Sequence, residues 1–286
     1  MEEKNKIMPS TLYLVATPIG NLDDMSYRAV KTLSECDFIA AEDTRVTAKL
    51  LSAYDIKKPL VTYEEHVKRS AGEMILERLK NGQSCALVTD AGTPAISDPG
   101  EDLVRLCAEN GINVVSVPGA CAAVNALALS GLPTRRFLCE GFLEGKDNAK
   151  KERLSVLSAY DQTLIFYEAP HRLVDTLSLM EQVLGGQRRI ALCRELTKKN
   201  EEIVRTTISE AHSKYSSEAP RGEFVLVVEG RTEAPDSFWV NMTVAEHVDY
   251  YVKNMSLDKM SAVKAAAKDR GVPKNAVYKE ILESGK

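Results

Sequence analysis

Short apolar runs alternate with amphipathic segments along the first 130 residues, and each run ends in turn residues. The first run, Thr11–Ala16, leads into Thr17-Pro18-Ile19-Gly20-Asn21, and a helix with Ala29, Val30 and Leu33 on its apolar side follows. Further strands are predicted at 37–41, 59–63, 84–89 and 113–117, with helices at 46–53, 71–80, 101–109 and 120–129. Strands that alternate with helices at this spacing predict a parallel sheet covered on both faces.

A second α/β stretch begins after Gly131-Leu132-Pro133, where the pattern breaks. Its strands are predicted at 136–140, 162–167, 189–194 and 224–229, and its helices at 150–159, 171–184 and 209–215. The turn-forming segment 230–237 is interpreted as a linker. The remainder predicts helices at 243–254 and 257–269 and a third through 276–282, arranged like a helix-turn-helix. We therefore expect an N-terminal α/β domain (1–132), a second α/β domain (133–236) and a C-terminal helical domain (237–286).

Composition and charge limit the possible partners. The 286 residues carry a net charge of −4 and a pI of about 5.7, so any contact with nucleic acid requires a local basic patch. The acidic N-terminus lacks the apolar run of a signal peptide, and no apolar stretch is long enough to span a membrane. The six cysteines form no CxxC pair, and the four histidines lack ligand spacing. These features predict a cytosolic protein without a bound metal.

The loops after the strands are where ligands bind in open parallel sheets. Four such loops follow strands of the first domain, at 17–21, 42–45, 90–100 and 118–122. Neither the G-x-G-x-x-G fingerprint nor the Walker A loop is present, which disfavours a nicotinamide dehydrogenase and favours a ligand held by backbone groups and apolar side chains. Asp90 and Ser97 in the longest loop could instead simply cap turns and a helix.

Eight ordered motifs make the chain recognisable. They are VATPIGN (15–21), AAEDTR (40–45), TDAGTPAISDPG (89–100), VPGACAAVNAL (117–127), EGFL (140–143), FYEAPHR (166–172), RELTK (194–198) and GEFVLVVEG (222–230). The set resembles the tetrapyrrole methylase superfamily, and within it the branch that methylates the 2′-hydroxyl of a cytidine in 16S ribosomal RNA. The likeness resumes at GVPKNAVYKEIL (271–282). The alternatives are a methylase of a corrin or porphyrin precursor, and a helix-turn-helix regulator that senses a ligand.

The resemblance implies two α/β domains, a parallel sheet followed by a mixed sheet, with S-adenosylmethionine in the cleft between them, and a homodimer. It also implies rRNA, in the small ribosomal subunit, as the partner. The family often has proline where this chain has Ala120, and alanine keeps that position small. Carried over by position, the cofactor-binding residues are Pro18, Gly20, Asp90, Ala91, Gly92, Ile96, Ser97, Ala120, Ala122, Phe142 and Tyr167.

Methyl transfer to a ribose hydroxyl needs a group that accepts the hydroxyl proton and cations that hold phosphates. Glu42, Asp43, Glu168 and His171 are candidate acceptors, of which Asp43 and Glu168 are the assigned catalytic residues. Each charged residue in these loops could instead form a surface ion pair, and the tail lysines could be a solvated face. The residues expected to contact RNA are Arg45, Arg172, Arg194, Lys198, Lys264, Lys268 and Lys274.

Overall fold

The computed structural model describes residues 6–232, 239, 242–255 and 257–284. The chain divides into two compact units, Met1–Gly230 and Arg231–Lys286. The first unit contains two five-stranded sheets and the second is helical. The division at Gly230 does not separate the two sheets, so the three-domain boundaries at 132 and 236 stay predictions.

The first sheet is parallel throughout, as predicted, with strand order β3-β2-β4-β1-β5. Its strands are β1 (Thr11–Val15), β2 (Phe38–Ala41), β3 (Leu60–Thr62), β4 (Cys85–Val88) and β5 (Asn113–Val117). The connecting helices are α1 (Tyr27–Glu35), α2 (Thr44–Ala53), α3 (Lys68–Lys80) and α4 (Gly100–Glu109), and α5 (Ala122–Ser130) follows β5.

The central strands β1, β2 and β4 are buried on both faces, which is why they read as continuous apolar runs. Successive residues of β1 point into different clusters, with Leu12 in one and Tyr13 in the other. Phe38 and Ile39 of β2 divide in the same way. All strands run in one direction, so their carboxyl ends and the loops that follow them share one edge of the sheet.

The second sheet is mixed, with strand order β6-β7-β10-β8-β9 and one parallel pair, β6 with β7. Its strands are β6 (Phe137–Phe142), β7 (Thr163–Glu168), β8 (Arg189–Arg194), β9 (Glu202–Thr207) and β10 (Phe224–Val228). Its helices are α6 (Asp147–Ser158), α7 (Leu173–Leu184) and α8 (Ile208–Ser217). The side chains of α6–α8 pack with one face of the sheet into a single apolar core.

The sequence prediction lacks β9, and in this it is wrong. The strand lies at the sheet edge and pairs only with β8, in antiparallel register from Glu202 opposite Arg194 to Thr207 opposite Arg189. Its residues are mostly polar and half-buried, so it shows neither an apolar run nor a clean alternation.

The helical unit contains α9 (Val244–Asn254), α10 (Lys259–Asp269) and α11 (Lys274–Ser284) around a small apolar core. Thr243 and Glu246 form a reciprocal capping box at the start of α9. Arg270 forms hydrogen bonds within the helical unit. Its guanidinium donates to Nδ1 of His247 (3.1 Å) and to the carbonyl of Met242 (2.6 Å). The helix-turn-helix-like arrangement is confirmed, whereas most of the predicted linker 230–237 lies outside the described residues. Among the described residues, no helix combines the length and apolarity needed to cross a membrane.

Candidate active site

A cavity of about 630 Å³ lies between the carboxyl-end loops of the first sheet and the second sheet. Its volume is in the range of small-molecule sites. The first sheet's loops contribute Ile19, Glu42, Thr89, Ala91, Gly92, Thr93, Ile96, Ser97, Asp98, Cys121 and Ala122. The second half of the unit contributes Phe142, Tyr167, Glu168, Ala169, Pro170, His171, Cys193, Leu196, Lys198, Glu223, Phe224 and Val225.

Asp98 holds the loop between β4 and α4 in an unusual conformation. Its two carboxylate oxygens each lie 3.0 Å from the Ala95 backbone N–H, and one accepts from Gly100 at 2.6 Å. Ala95 and Ser97 both have left-handed backbone angles, with φ of 65° and 60°. Strained residues of this kind cluster at ligand sites. Burial raises the pKa of Asp98 above its usual range, against the opposing effect of the N–H donors.

We expect Asp98→Asn to weaken S-adenosylmethionine binding, because the neutral amide is a weaker acceptor and its NH₂ group opposes the two N–H donors. Hydrogen bonds to a charged group contribute about 1.5–3 kcal/mol, which corresponds to a rise in Kd of about tenfold or more. Titration calorimetry measures this, with Glu101→Gln in the first turn of α4 as the control. An unchanged Kd for Asp98→Asn would mean that the loop holds its shape without this carboxylate.

The opposite wall contains a second strained loop, where Glu195 and Thr197 have φ of 50° and 65°. The Lys198 ammonium donates to Glu195 (2.9 Å) and Glu223 (2.8 Å). Burial alone would lower the pKa of Lys198, but these two carboxylates outweigh it and raise the pKa. Gly20 packs against this loop, where a Cβ atom would collide with Lys198. The buried Oγ1 of Thr197 has no hydrogen-bond partner among the described residues.

Two aromatic rings and several small residues are part of the cavity lining. The rings of Phe142 and Tyr167 lie 5.6 Å apart at 46°, and Phe142 is 52% exposed. Burial raises the pKa of Tyr167 to about 12, so its hydroxyl stays protonated. Gly92 has φ of 89°, and a Cβ atom there would lie 3.4 Å from Ile19. Aromatic rings together with small residues suit an adenine ring and a short thioether chain.

The structure places the predicted cofactor-binding residues in three different positions. Seven line the cavity: Ala91, Gly92, Ile96, Ser97, Ala122, Phe142 and Tyr167. Pro18, Gly20 and Asp90 line a separate groove of about 420 Å³ on the other side of the first loop. Ala120 lies beside the cavity, where its carbonyl accepts from the Thr93 hydroxyl at 3.0 Å.

Four carboxylates line the cavity, Glu42, Asp98, Glu168 and Glu223. Asp98 accepts from the backbone N–H groups of its own loop. Glu42 accepts from the Thr89 hydroxyl at 2.6 Å through one oxygen, and its other oxygen has no hydrogen-bond partner in the described part of the chain. Glu168 is 2% exposed and fully engaged. It accepts from Thr176 (2.5 Å) and the Ala169 N–H (2.9 Å), and pairs with Arg172 at 3.5 Å. Among the described lining residues, Glu42 and Glu223 each keep one oxygen without a hydrogen-bond partner, but Glu223 is ion-paired with Lys198 and Glu42 is paired with no cation.

Asp43, the other assigned catalytic residue, lies outside the cavity lining. It is the N-cap of α2 and accepts from the Arg45 N–H at 2.8 Å and from the Arg45 guanidinium at 3.1 and 2.7 Å. These hydrogen bonds from Arg45 lower the pKa of Asp43 to about 2. A carboxylate with so low a pKa is a weak proton acceptor.

The cations expected to contact RNA differ between the two units. In the first unit each is already paired, Arg45 with Asp43, Arg172 with Glu168, Arg194 with Glu202 and Lys198 with Glu195 and Glu223. In the helical unit, Lys264, Lys268 and Lys274 are exposed. The tail lysines are therefore more available to phosphates than the loop cations.

Several cavity residues escaped the sequence reasoning. The site is also lined by the N-cap residue of α5, by residues of β8 and β10, and by the loop after β8: Cys121, Cys193, Phe224, Val225 and Leu196. They read as ordinary core residues because the cavity backs onto the apolar cluster between α5 and that sheet. The sequence signal that could have found them is their position in or next to the FYEAPHR, RELTK and GEF motifs. Those motifs lie at the ends of β7 and β8 and the start of β10, which meet at the cavity.

Comparisons with known proteins identify a family and close relatives. The sequence model of the Tetrapyrrole (Corrin/Porphyrin) Methylases matches residues 11–212. The chain is 50% identical to ribosomal RNA small subunit methyltransferase I of Bacillus subtilis over 271 residues, covering 93% of this chain and 92% of that protein. It is 47% identical to the protein of the same name from Halalkalibacterium halodurans, covering 94% and 93%.

A solved structure shares the fold of about three quarters of this chain. Uroporphyrin-III C-methyltransferase from Thermus thermophilus, in complex with S-adenosylhomocysteine, superimposes with a TM-score of 0.53 at 19% identity. The match covers 76% of this chain and 96% of that one. It leaves about a quarter of this chain unmatched.

Proposed function

The chain belongs to the tetrapyrrole (corrin/porphyrin) methylase family, and from this premise we propose that it methylates the 2′-hydroxyl of a cytidine in 16S ribosomal RNA. The methyl donor is S-adenosylmethionine, the cofactor of this family. The close relatives are named as methyltransferases of small-subunit ribosomal RNA, which supports an RNA substrate. The observation that carries the proposal is the cavity, whose lining combines the rings of Phe142 and Tyr167 with the Glu42 carboxylate, one oxygen of which has no hydrogen-bond partner among the described residues.

S-adenosylmethionine supplies a methyl group on a positively charged sulfur. The chain's own contribution is alignment, which can lower the barrier by several kcal/mol. The loop held by Asp98 and the loop held by Lys198 fix the two walls, and Phe142 and Tyr167 cover the aromatic end of the site.

Glu42 is the group best placed to accept the ribose hydroxyl proton. Glu42 lines the cavity, and its Thr89 partner engages one oxygen and leaves the other without a hydrogen-bond partner among the described residues. Asp43 and Glu168 remain proposals for catalysis, but their observed partners favour supporting roles. Asp43 caps α2, and Glu168 joins β7 to α7 through Thr176.

RNA binding is assigned to the helical unit. The whole chain has a net charge of −4, so its attraction to phosphates must be local. Lys264, Lys268 and Lys274 are exposed on α10 and at the start of α11. A homodimer is expected from the family and remains a proposal.

Changing Lys264, Lys268 and Lys274 together to Glu should raise the KM for small subunits by about tenfold and reduce its salt dependence. Each lost phosphate contact on single-stranded RNA lowers the log–log salt slope by about 0.7. The control changes Lys57, Lys58 and Lys80 to Glu; all three precede strands and so lie at the opposite edge of the first sheet. Equal effects of the two triple variants would contradict a specific role for the tail.

The function is tested with tritiated S-adenosylmethionine and small subunits from a strain lacking the modification. We expect label in RNA, recovered after nuclease and phosphatase digestion as 2′-O-methylcytidine. Label in a methylated base would overturn the ribose assignment. Label in a porphyrinoid precursor but not in RNA would instead assign the chain to the tetrapyrrole branch.

A further inference from the structure

The groove beside the first loop is separate from the cofactor cavity but shares a wall with it. Thr17 and Gly92 form this wall through two backbone hydrogen bonds of 2.9 and 3.1 Å. Neighbouring residues of the loop face different sides, with Ile19 in the cavity and Pro18 and Gly20 in the groove. A molecule in the groove would therefore lie next to the reacting centre without occupying the cofactor's place.

The groove lining combines apolar residues with one cation, Lys49, and one carboxylate, Asp90. Leu22 and Val46 are large apolar residues that are 51% and 40% exposed. The lining residues are Thr17, Pro18, Gly20, Leu22, Val46, Lys49, Leu50, Ala53 and Asp90. Exposed apolar side chains gathered in a groove typically mark a binding surface.

The two charged groups are available to a ligand. Lys49 is exposed and has no ion-pair partner among the residues the structure describes. One oxygen of Asp90 accepts from the Asp43 N–H at 3.1 Å, and no protein group described here donates to the other. The groove thus offers a cation, an apolar surface and a carboxylate acceptor in one place.

Local hydrogen bonds hold the groove in shape. The Tyr54 hydroxyl at the end of α2 donates to the carbonyl of Leu22, which begins the 3₁₀ turn Leu22–Asp24. Asn21 caps that turn through the Asp23 N–H at 3.1 Å. Both sides are therefore fixed before any ligand arrives, which reduces the entropic cost of binding.

We propose that this groove binds one nucleotide of single-stranded RNA, the neighbour of the nucleotide whose ribose is methylated. The inference rests on the proposed function. Leu22 and Val46 contact the faces of the base, Lys49 pairs with its phosphate, and the available oxygen of Asp90 accepts from an amino group on the base edge. Sequence-specific proteins read single-stranded RNA through such contacts to bases splayed out of the strand.

Charge and position favour a nucleotide over other occupants. Lys49 is exposed one helical turn beyond Arg45, which pairs with Asp43 in the first turn of α2, where the helix dipole favours a phosphate. A carboxylate accepts from the amino group of cytosine but meets a carbonyl oxygen in uracil. Because the groove and the cavity share a wall, a nucleotide in the groove would lie next to the nucleotide in the cavity, as adjacent nucleotides of one RNA strand must.

Val46→Asp tests the apolar contact. Losing one base contact costs about 1–3 kcal/mol, so kcat/KM for undermethylated small subunits should fall about tenfold while the Kd for S-adenosylmethionine stays unchanged. Ser52→Asp adds the same charge to an exposed position of α2 outside the groove and should behave as the parent. If Val46→Asp lowers the melting temperature of the protein, Leu22→Ser repeats the test at a position outside any α-helix.

Three outcomes separate the possibilities. If kcat/KM is unchanged in both groove variants and the parent protein methylates RNA, the inference about the groove is overturned and the proposed function stands. Absence of RNA methylation by the parent protein defeats the function itself. A shift of the parent oligomer to a smaller species in Val46→Asp, seen by analytical ultracentrifugation, assigns the groove to a second copy and also overturns the inference.

A competition measurement tests the role of Asp90. We expect CMP to inhibit RNA methylation at concentrations about tenfold lower than UMP, as one hydrogen bond to a charged acceptor would give. Asp90→Leu, which removes the acceptor, should bring the two nucleotides to the same inhibitory concentration. Equal inhibition by CMP and UMP in the parent protein would overturn amino-group recognition.

Discussion

Glu42→Gln is expected to lower kcat for RNA methylation by about 10²–10⁴-fold, the usual contribution of a positioned general base. Glutamine keeps the size and can still accept the hydrogen bond from Thr89, but it cannot take a proton from a ribose hydroxyl. The Kd for S-adenosylmethionine should stay within about twofold of the parent. Single-turnover kinetics with saturating cofactor measures the step itself.

Two matched variants sharpen this test. Asp43→Asn removes a carboxylate that already pairs with Arg45, so its effect on kcat should be small. Glu168→Gln weakens the contacts to Thr176 and Arg172, so it should lower the melting temperature more than kcat. A larger loss of kcat in Asp43→Asn than in Glu42→Gln would transfer the base to Asp43.

Ala122→Phe should abolish measurable cofactor binding, with Kd rising by at least about 100-fold, or about 2.7 kcal/mol. Ala122 is the first residue of α5 and lines the cavity beside Cys121. A phenyl group there would fill the space that the cofactor needs. The close-packed residues around it cannot move far enough to restore that space. Calorimetry with S-adenosylhomocysteine measures the change.

Val124→Phe provides the control on the same helix. Val124 is 53% exposed and lies outside the cavity lining, so a ring of the same size should leave cofactor binding intact. If Ala122→Phe retained the parent Kd, the cofactor would have to bind elsewhere.

The fold of the first sheet was predictable because burial on both faces produces continuous apolar runs with turn residues between them. β4, with four buried residues before the loop at Asp90, is a clear case. β9 was not predictable in the same way, because a polar edge strand lacks a periodic signal and depends on its partner β8.

The site was only partly predictable for a related reason. Sequence order places Pro18, Gly20 and Asp90 in the right loops, but it does not indicate which side of a loop faces the cavity. Likewise, Arg194 and Lys198 looked available as RNA contacts, whereas the folded chain brings Glu202 and Glu223 to them. Partners distant in the chain are set by tertiary packing and leave no local pattern.

A crystal structure with S-adenosylhomocysteine tests the central claim most directly. We predict density for the adenine beside Phe142 and Tyr167, with the sulfur on the cavity side of the Thr17–Gly92 wall, facing Glu42. Density in the groove between Leu22 and Val46, or at any other surface, with the cavity left closed would contradict the account.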